Sequence, residues 1–421
     1  MKESEEFPFH TTYPHFELPP YNDDRPLGKG RLGSVVSTLG SIKNQPGELF
    51  TLKTIIMSTD KKTCAEDEAL LLKDISKLQG IKHKHLATHA ATYFHESPYV
   101  PHFGILMTPF AECNLEDYLH SFWKGKDTVY EDKMPGWFEC LVSALEYLHD
   151  QGMYHGRISA SNILVHLGDV RFTDFGIHHK RWEITHEQLW ADSSSKPIVH
   201  YEPPEMKGED KYTYTKPGDV FSLAAVFLEI ITVFCNVQAL DRFRTRMSTN
   251  RTRTHTQTTK DPKTKKKIKI KTQSKSKHVF YANKAAKALH TTRSTAIGST
   301  SRYTGELEAI LDICEEMLDL DPGRRPSMKQ IAWCWIYSGY LPFPNCGSVH
   351  YTRRDLLDPT LELEEVLKRH EWVKAKAIIW LNQIYSLDAR DIRDRARERS
   401  DEEVLVFLQK YLVYNGDHWM S

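Results

Sequence analysis

The sequence predicts an α+β fold, on three observations. Residues 23–110 read as strand-rich, with one helical stretch at Glu66–Leu78. Residues 111–240 read as mostly helical. Helical signals resume at Gly305 and continue through the last eighty residues. Strands first and helices after is the order of an α+β chain. With 421 residues there is room for one large domain with additions, or for two to three domains.

Composition sets the class. Hydrophobic residues at 40% and charged residues at 27% are ordinary for a soluble globular protein. The seven cysteines are dispersed with no Cys-x-x-Cys pair, which argues for reduced thiols. The first residues, Met-Lys-Glu-Ser-Glu-Glu, are acidic and lack an apolar core, so no signal peptide is visible. The expectation is an intracellular protein, cytoplasmic or nuclear, that does not engage membranes. Val220–Val237 is apolar enough to imitate a membrane span, but Glu229 falls midway, and a buried core helix is the expected reading.

The elements follow in order. Residues 1–22, polar and aromatic, read as a loosely docked arm. Residues 23–110 form the strand-rich part and 111–340 the helical part. Within the latter, residues 241–302 hold eighteen Lys/Arg against two Asp, a net charge of about +16 in a chain whose total is zero. Thr, Ser, Gln and Lys dominate there, and such composition buries too little apolar surface to offset the entropy of ordering. The segment is therefore expected to be a disordered insertion. Residues 341–421 read as a helical extension. Asp358-Pro359-Thr360 reads as a helix start, and Val373, Ala377, Trp380 and Leu381 share a face. Ser400 with Glu403 forms a capping-box pattern before Val404, Phe407, Leu408, Tyr411 and Leu412.

Eight motifs carry chemistry. Leu27-Gly28-Lys29-Gly30-Arg31-Leu32-Gly33-Ser34-Val35 is glycine-rich, allowing a hairpin to close over phosphates without side-chain clash. Eighteen residues beyond Val35 a strand ends in Lys53. A helical Glu68-Ala-Leu-Leu-Leu-Lys-Asp-Ile follows, with apolar residues at +4 and +7. Then come Tyr154-His-Gly-Arg157-Ile-Ser159-Ala-Ser-Asn162, Asp174-Phe-Gly, Tyr201-Glu-Pro-Pro-Glu205, Asp219-Val-Phe-Ser-Leu and Asp321-Pro-Gly-Arg-Arg325-Pro-Ser.

In this order and spacing, over about residues 23–340, the chain resembles the eukaryotic protein kinases. The resemblance implies a bilobal protein-kinase-like α+β fold, a small strand-rich N-lobe at 23–110 and a large helical C-lobe at 111–340, with the basic insertion between the family's helix αF, which would start at Asp219, and its next helix, αG. It implies ATP and Mg2+ as cofactors. Lys53 would grip phosphate and Glu68 would hold Lys53, with Glu66 the disfavoured competitor. Asn162 and Asp174 would bind the metal. The nucleotide pocket would comprise the glycine-rich loop from Leu27 to Val35, Lys53, Met107 as gatekeeper, Thr108 and Phe110 at the hinge, and Leu164. Asp219 would anchor the catalytic loop, and Arg325 would pair with Glu205.

The chain departs from the family at four linked places. The family's proton-accepting aspartate is Arg157, a cation that accepts no proton. The loop lysine that steadies the transferring phosphate is Ser159. The arginine that would meet an activation-loop phosphate is Gly156, so phosphate at Thr185 or Ser193–Ser195 lacks its usual partner. Ile198 stands where a threonine usually bonds the aspartate and lysine. Thr51 replaces the usual small residue above the adenine.

Three functions stay open: a pseudokinase that binds ATP and works as scaffold or allosteric partner of an unknown protein; a weak or unconventional serine/threonine kinase transferring the γ-phosphate of ATP; and a non-enzymatic nuclear or polyanion-binding module. For the last, Lys263–Lys271 within 241–302 reads as an import signal, a polyanion contact or a solvated loop. The pairs His83/His85 and His178/His179 lack zinc-like partners and read as ordinary histidines.

Overall fold

The computed structural model describes residues 10–19, 21–29, 35–42, 45–123, 131–176, 198–206, 214–236, 239–260, 267–281, 284–297, 304–337, 363, 367–368, 375 and 390–412.

The first lobe is a six-stranded sheet. Its strands are β1 (His10–Pro14), β2 (Tyr21–Lys29), β3 (Val35–Ile42), β4 (Gln45–Ile56), β5 (Thr88–Glu96) and β6 (His102–Thr108), in the order β1-β5-β6-β4-β3-β2. All neighbours are antiparallel except β1, which runs parallel to β5. The arm expected to dock loosely is thus partly a strand. His10 stacks on Phe103 and Tyr13 packs edge-on to Tyr93, which fixes its register. Helix α1 (Lys61–Ser76) shares a core with the sheet residues Ile55, Phe103 and Ile105. Asp60 caps it by accepting from the Thr63 amide at 2.9 Å, so the helix starts well before the expected Glu66. Cys64, Asp67, Leu71 and Ile75 form its buried face.

The second lobe begins with β7 (Cys113–Asn114) and α2 (Leu115–Trp123), then α3 (Met134–Asp150). β8 (Ile163–His166) and β9 (Asp169–Phe172) complete a small sheet with β7. Strand β10 (Ile198–His200) leads to helix α4 (Lys216–Cys235). Thr215 caps α4 by accepting from the Gly218 amide, Pro217 pre-sets its first turn, and Gly218–Val233 are buried. An all-round apolar helix is stable only in a core, so this run is the axis of the lobe. Helices α5 (Ala239–Met247), α6 (Ala285–Ile297) and α7 (Thr304–Met317) pack on it, and α8 (Met328–Tyr337) packs on α3.

The described residues of the basic insertion lie almost wholly in helices and strands. β11 (Ser248–Lys260) and β12 (Lys267–Phe280) pair antiparallel over thirteen residues, and β12 pairs parallel with β10. The expectation of disorder fails because apolar content was the wrong measure. Thr252, Thr254, Thr256 and Thr258 recur at every second position, and β-branched residues at period two favour extended backbone. Phe243, Met247 and Tyr281 bury the base of the ribbon.

In the extension, α9 (Arg390–Glu398) and α10 (Glu402–Leu412) are described. The cap of α10 is Asp401, whose carboxylate accepts from the Val404 amide at 3.2 Å, not Ser400. The expected helix start at 358–360 and the face at Val373–Leu381 lie outside the described residues.

Candidate functional site

The cleft between the lobes gathers most of the expected residues. β4 carries Thr51 and Lys53 two residues apart, hence on one sheet face. The opposite face, with Phe50 and Leu52, packs on Ala91, Tyr93 and Leu106. Lys53 Nζ lies 2.7 Å from Asp174 Oδ1. Asp174 follows β9 with φ of 64°, a left-handed conformation uncommon outside glycine. Burial, the largest single influence, pushes its carboxyl up, but Lys53, Arg157 and His155 together outweigh it, and the net shift is downward. Asp174 is held as an anion.

Glu68 is not part of that pair. Its Oε1 lies 3.4 Å from His10 Nε2, so the arm strand and α1 share the carboxylate expected at Lys53. Burial lowers the His10 pKa and Glu68 works in the other direction. Glu66, the competitor, is exposed. Sequence spacing alone does not reveal His10, because its nearness to Glu68 depends on β1 joining the sheet.

The loop from Tyr154 to Asn162 is pinned from α4. Asp219 accepts from the amides of His155 and Gly156, both at 2.7 Å, and from His149 Nε2 at 3.1 Å. His155 is fully buried and packs edge-on to Phe172 and Phe175. Asn162 Nδ2 donates to the Arg157 carbonyl at 2.8 Å, and the Thr173 amide donates to the Asn162 carbonyl at 3.0 Å. Arg157, Asn162 and Asp174 therefore stand together. Ser159 hydroxyl bonds that of Ser161 at 3.0 Å. Ile198 begins β10, which places it in the pairing with β12.

The nucleotide-facing positions divide. Met107 is buried on β6, with its sulfur 3.6 Å from the Thr173 hydroxyl. Thr108 ends β6, Phe110 packs edge-on to His166, and Leu164 lies on β8. Leu27, Gly28 and Lys29 lie in β2, and Val35 opens β3. Gly30, Arg31, Leu32, Gly33 and Ser34 lie outside the described residues. His83 bonds Ser143 and His85 bonds the Val170 carbonyl; among the described residues no group of metal-ligating side chains is found. His178 and His179 lie outside the described residues.

A second charged cluster sits beneath the segment that ends at Glu205. Glu229, fully buried on α4, accepts four hydrogen bonds. Oε1 takes Arg244 Nε and the Tyr281 hydroxyl, both at 2.8 Å; Oε2 takes Arg244 Nη2 at 2.8 Å and the Tyr201 hydroxyl at 2.7 Å. All four lone-pair sites of the carboxylate are filled. Burial alone pushes this carboxyl up; Arg244 and the two phenols outweigh it and lower it. Burial, then Glu229, hold both phenols well above their usual pKa, so they remain donors. Arg325 forms a bidentate pair with Glu205 at 2.6 and 2.8 Å. A carboxylate inside a long apolar run was the visible signal for this cluster, since such a group needs a buried cation.

The matching of these parts decides the family. Residues 21–334 match the model of the protein kinase domain. The chain belongs to the protein kinase family. Its fold is the bilobal α+β kinase fold. It is 26% identical over 49% of its length to mitogen-activated protein kinase kinase kinase 1a of Physcomitrium patens, of which it covers 25%. Against mitogen-activated protein kinase 4a of the same organism it is 23% identical, covering 83% of this chain and 86% of that one. Against serine/threonine-protein kinase STK11 of Gallus gallus it is 24% identical over 49% of its length and 44% of that protein. The chain thus spans under half of several curated relatives it matches. Kinase domains generally use ATP and Mg2+.

Proposed function

We propose that this kinase domain binds ATP and acts as a pseudokinase, a scaffold or allosteric partner of another protein. One observation carries the reading. Arg157 occupies the proton-acceptor position beside Asn162 and Asp174, and its charge helps to hold Asp174 ionised. A guanidinium there accepts no proton, and Ser159 offers no cation to a transferring phosphate.

The residues fit a nucleotide with its metal. Thr51 Oγ1 is buried with no hydrogen-bond partner and shares a strand face with Lys53. A buried hydroxyl left unpaired costs about 1–3 kcal/mol, and a ligand in the cleft relieves it. Lys53 would meet the phosphates, and Asn162 and Asp174 would hold the ion, which supplies charge neutralisation at the phosphates when bound. Met107, Thr108, Phe110 and Leu164 would line the base pocket. Asp219 positions the loop, and Thr173 and Met107 close the rear of the cleft.

Weak phosphoryl transfer is the second reading, and the retained Lys53, Asn162 and Asp174 favour it. A loose transition state depends mainly on positioning and charge, and a lost base typically removes about 10²–10⁴-fold.

Calorimetric titration of the full chain with ATP, with and without Mg2+, tests the binding. Saturable binding weakened about tenfold or more by Lys53→Ala is expected. No binding to wild type at millimolar ATP would overturn the reading.

A further inference from the structure

The register of the first-lobe sheet puts four residues in one row. His10 pairs with Thr92, Thr92 with Ile105, and Ile105 with Lys53, across β1, β5, β6 and β4. Residues directly opposite one another share a sheet face. His10 and Lys53 therefore stand on the same face, three strand spacings or about 14 Å apart. Helix α1 packs on that face: its Cys64, Leu71 and Ile75 share a core with Ile55, Phe103 and Ile105. Two basic side chains thus stand at the two ends of this row, and Glu68 of α1 meets one of them. Its Oε1 is 3.4 Å from His10 Nε2, while Lys53 Nζ takes Asp174 at 2.7 Å.

His10 is set for this contact. Its Nδ1 lies 2.9 Å from the Thr92 hydroxyl, which leaves Nε2 to face Glu68, and its ring stacks on Phe103. Tyr13, three residues on, lies on the opposite face, edge-on to Tyr93. The strand that carries both is nevertheless lightly held. β1 is five residues long, lies at the sheet edge and pairs with β5 alone, in the parallel sense. Phe16 and Leu18, just beyond it, are exposed. An element held in this way opens locally at less cost than the core. Helix α1 buries four side chains along sixteen residues, so few of them repack when it shifts across the sheet.

We infer that β1 is a latch, and that His10 and Lys53 are alternative partners of Glu68. With β1 docked, His10 holds Glu68 and Lys53 closes on Asp174. With β1 lifted off β5, His10 leaves with it. Glu68, 21% exposed, is then a partly buried carboxylate without its partner, which is unfavourable. Lys53 is the basic group that remains on the row, and it takes Glu68 and gives up Asp174. Release of β1 is the input and the partner of Lys53 is the output. That Asp174 becomes free for a metal ion matters only on the nucleotide reading above; the exchange itself needs no nucleotide.

Double-mutant cycles in denaturant unfolding of the full chain test the latch. The cycle of Lys53→Met with Glu68→Gln is expected to show a coupling below about twofold in the unfolding constant when β1 is intact, and of at least about fivefold when His10→Ala is added. Tyr13→Ala loosens β1 from the other face without touching His10 or Glu68, and is expected to raise the same coupling. The cycle of His10→Ala with Glu68→Gln is expected to couple in wild type. Two results would overturn the latch: a Lys53–Glu68 coupling already at about fivefold in wild type, or one that stays below about twofold with both His10→Ala and Tyr13→Ala. The cycles contain no nucleotide, so their failure and a failure of ATP binding are separate results.

Discussion

Lys53 and Asp174 form an ion pair at 2.7 Å, while the helix carboxylate expected at Lys53, Glu68, faces His10 of the N-terminal strand. The charge that a kinase cleft directs at phosphate and metal is here closed on itself. A nucleotide with its ion would exchange that pair for two separate contacts, Lys53 with phosphate and Asp174 with metal. Asp174→Ala is therefore expected to remove most of the Mg2+ enhancement of ATP affinity while leaving metal-free affinity within a few fold. Titration calorimetry with and without Mg2+ reads both numbers. An enhancement that persists in Asp174→Ala would reject the assigned metal role.

The cluster on Glu229 makes the insertion part of the core. Tyr281 ends the ribbon and Arg244 precedes it, and both converge on one buried carboxylate together with Tyr201. Glu229→Gln leaves the buried Arg244 charge with Glu116, at 3.2 Å, as its carboxylate partner, and the expected cost approaches the about 3–5 kcal/mol of a broken buried pair. Tyr281→Phe removes one hydrogen bond to a charged group, about 1.5–3 kcal/mol. Chemical denaturation measures both. If Tyr281→Phe matched wild type, the ribbon would not be anchored as described.

His89, on β5, packs edge-on to Phe175, and burial lowers its pKa from 6.5 to about 4. Asp174 opposes that shift and Lys53 adds to it. The sign follows from linkage. Between pH 6.5 and about 4 the unfolded chain binds the proton and the folded chain does not, so stability is complete above pH 6.5 and falls as pH drops. The contribution is about 3 kcal/mol at 1.36 kcal/mol per unit. His89→Leu should flatten this limb of the stability curve, measured by denaturant unfolding from pH 4.5 to 7.5. An unchanged slope would mean that His89 is not held neutral.

Gly156 stands where the family places an arginine for an activation-loop phosphate, and its amide is bound to Asp219. No phosphate switch is expected through that position. Ser195→Glu should change ATP affinity by less than twofold. A larger gain would show that another cation reads the phosphate.

Much of this was legible in the residues. Asp219 beneath the catalytic loop and Arg325 on Glu205 are read from spacing because each motif fixes a local backbone and one long-range partner. Glu68 was misplaced for a topological reason: its partner His10 reaches it through a parallel strand pairing that the sequence does not mark. The ribbon was missed because Thr and Lys signal solvation by composition and strand by period, and only the period governs backbone shape once a buried base such as Tyr281 is present. The Asp401 cap competed with Ser400, one residue away, and side-chain reach to the Val404 amide decides between them.

The most direct test is single-turnover γ-phosphoryl transfer from ATP with Mg2+, comparing wild type, Asp174→Ala and Arg157→Asp. A pseudokinase predicts no transfer by wild type above the Asp174→Ala background, and any gain appears only in Arg157→Asp. Transfer by wild type that vanishes in Asp174→Ala would contradict the account and establish a working kinase with Arg157 in its catalytic loop.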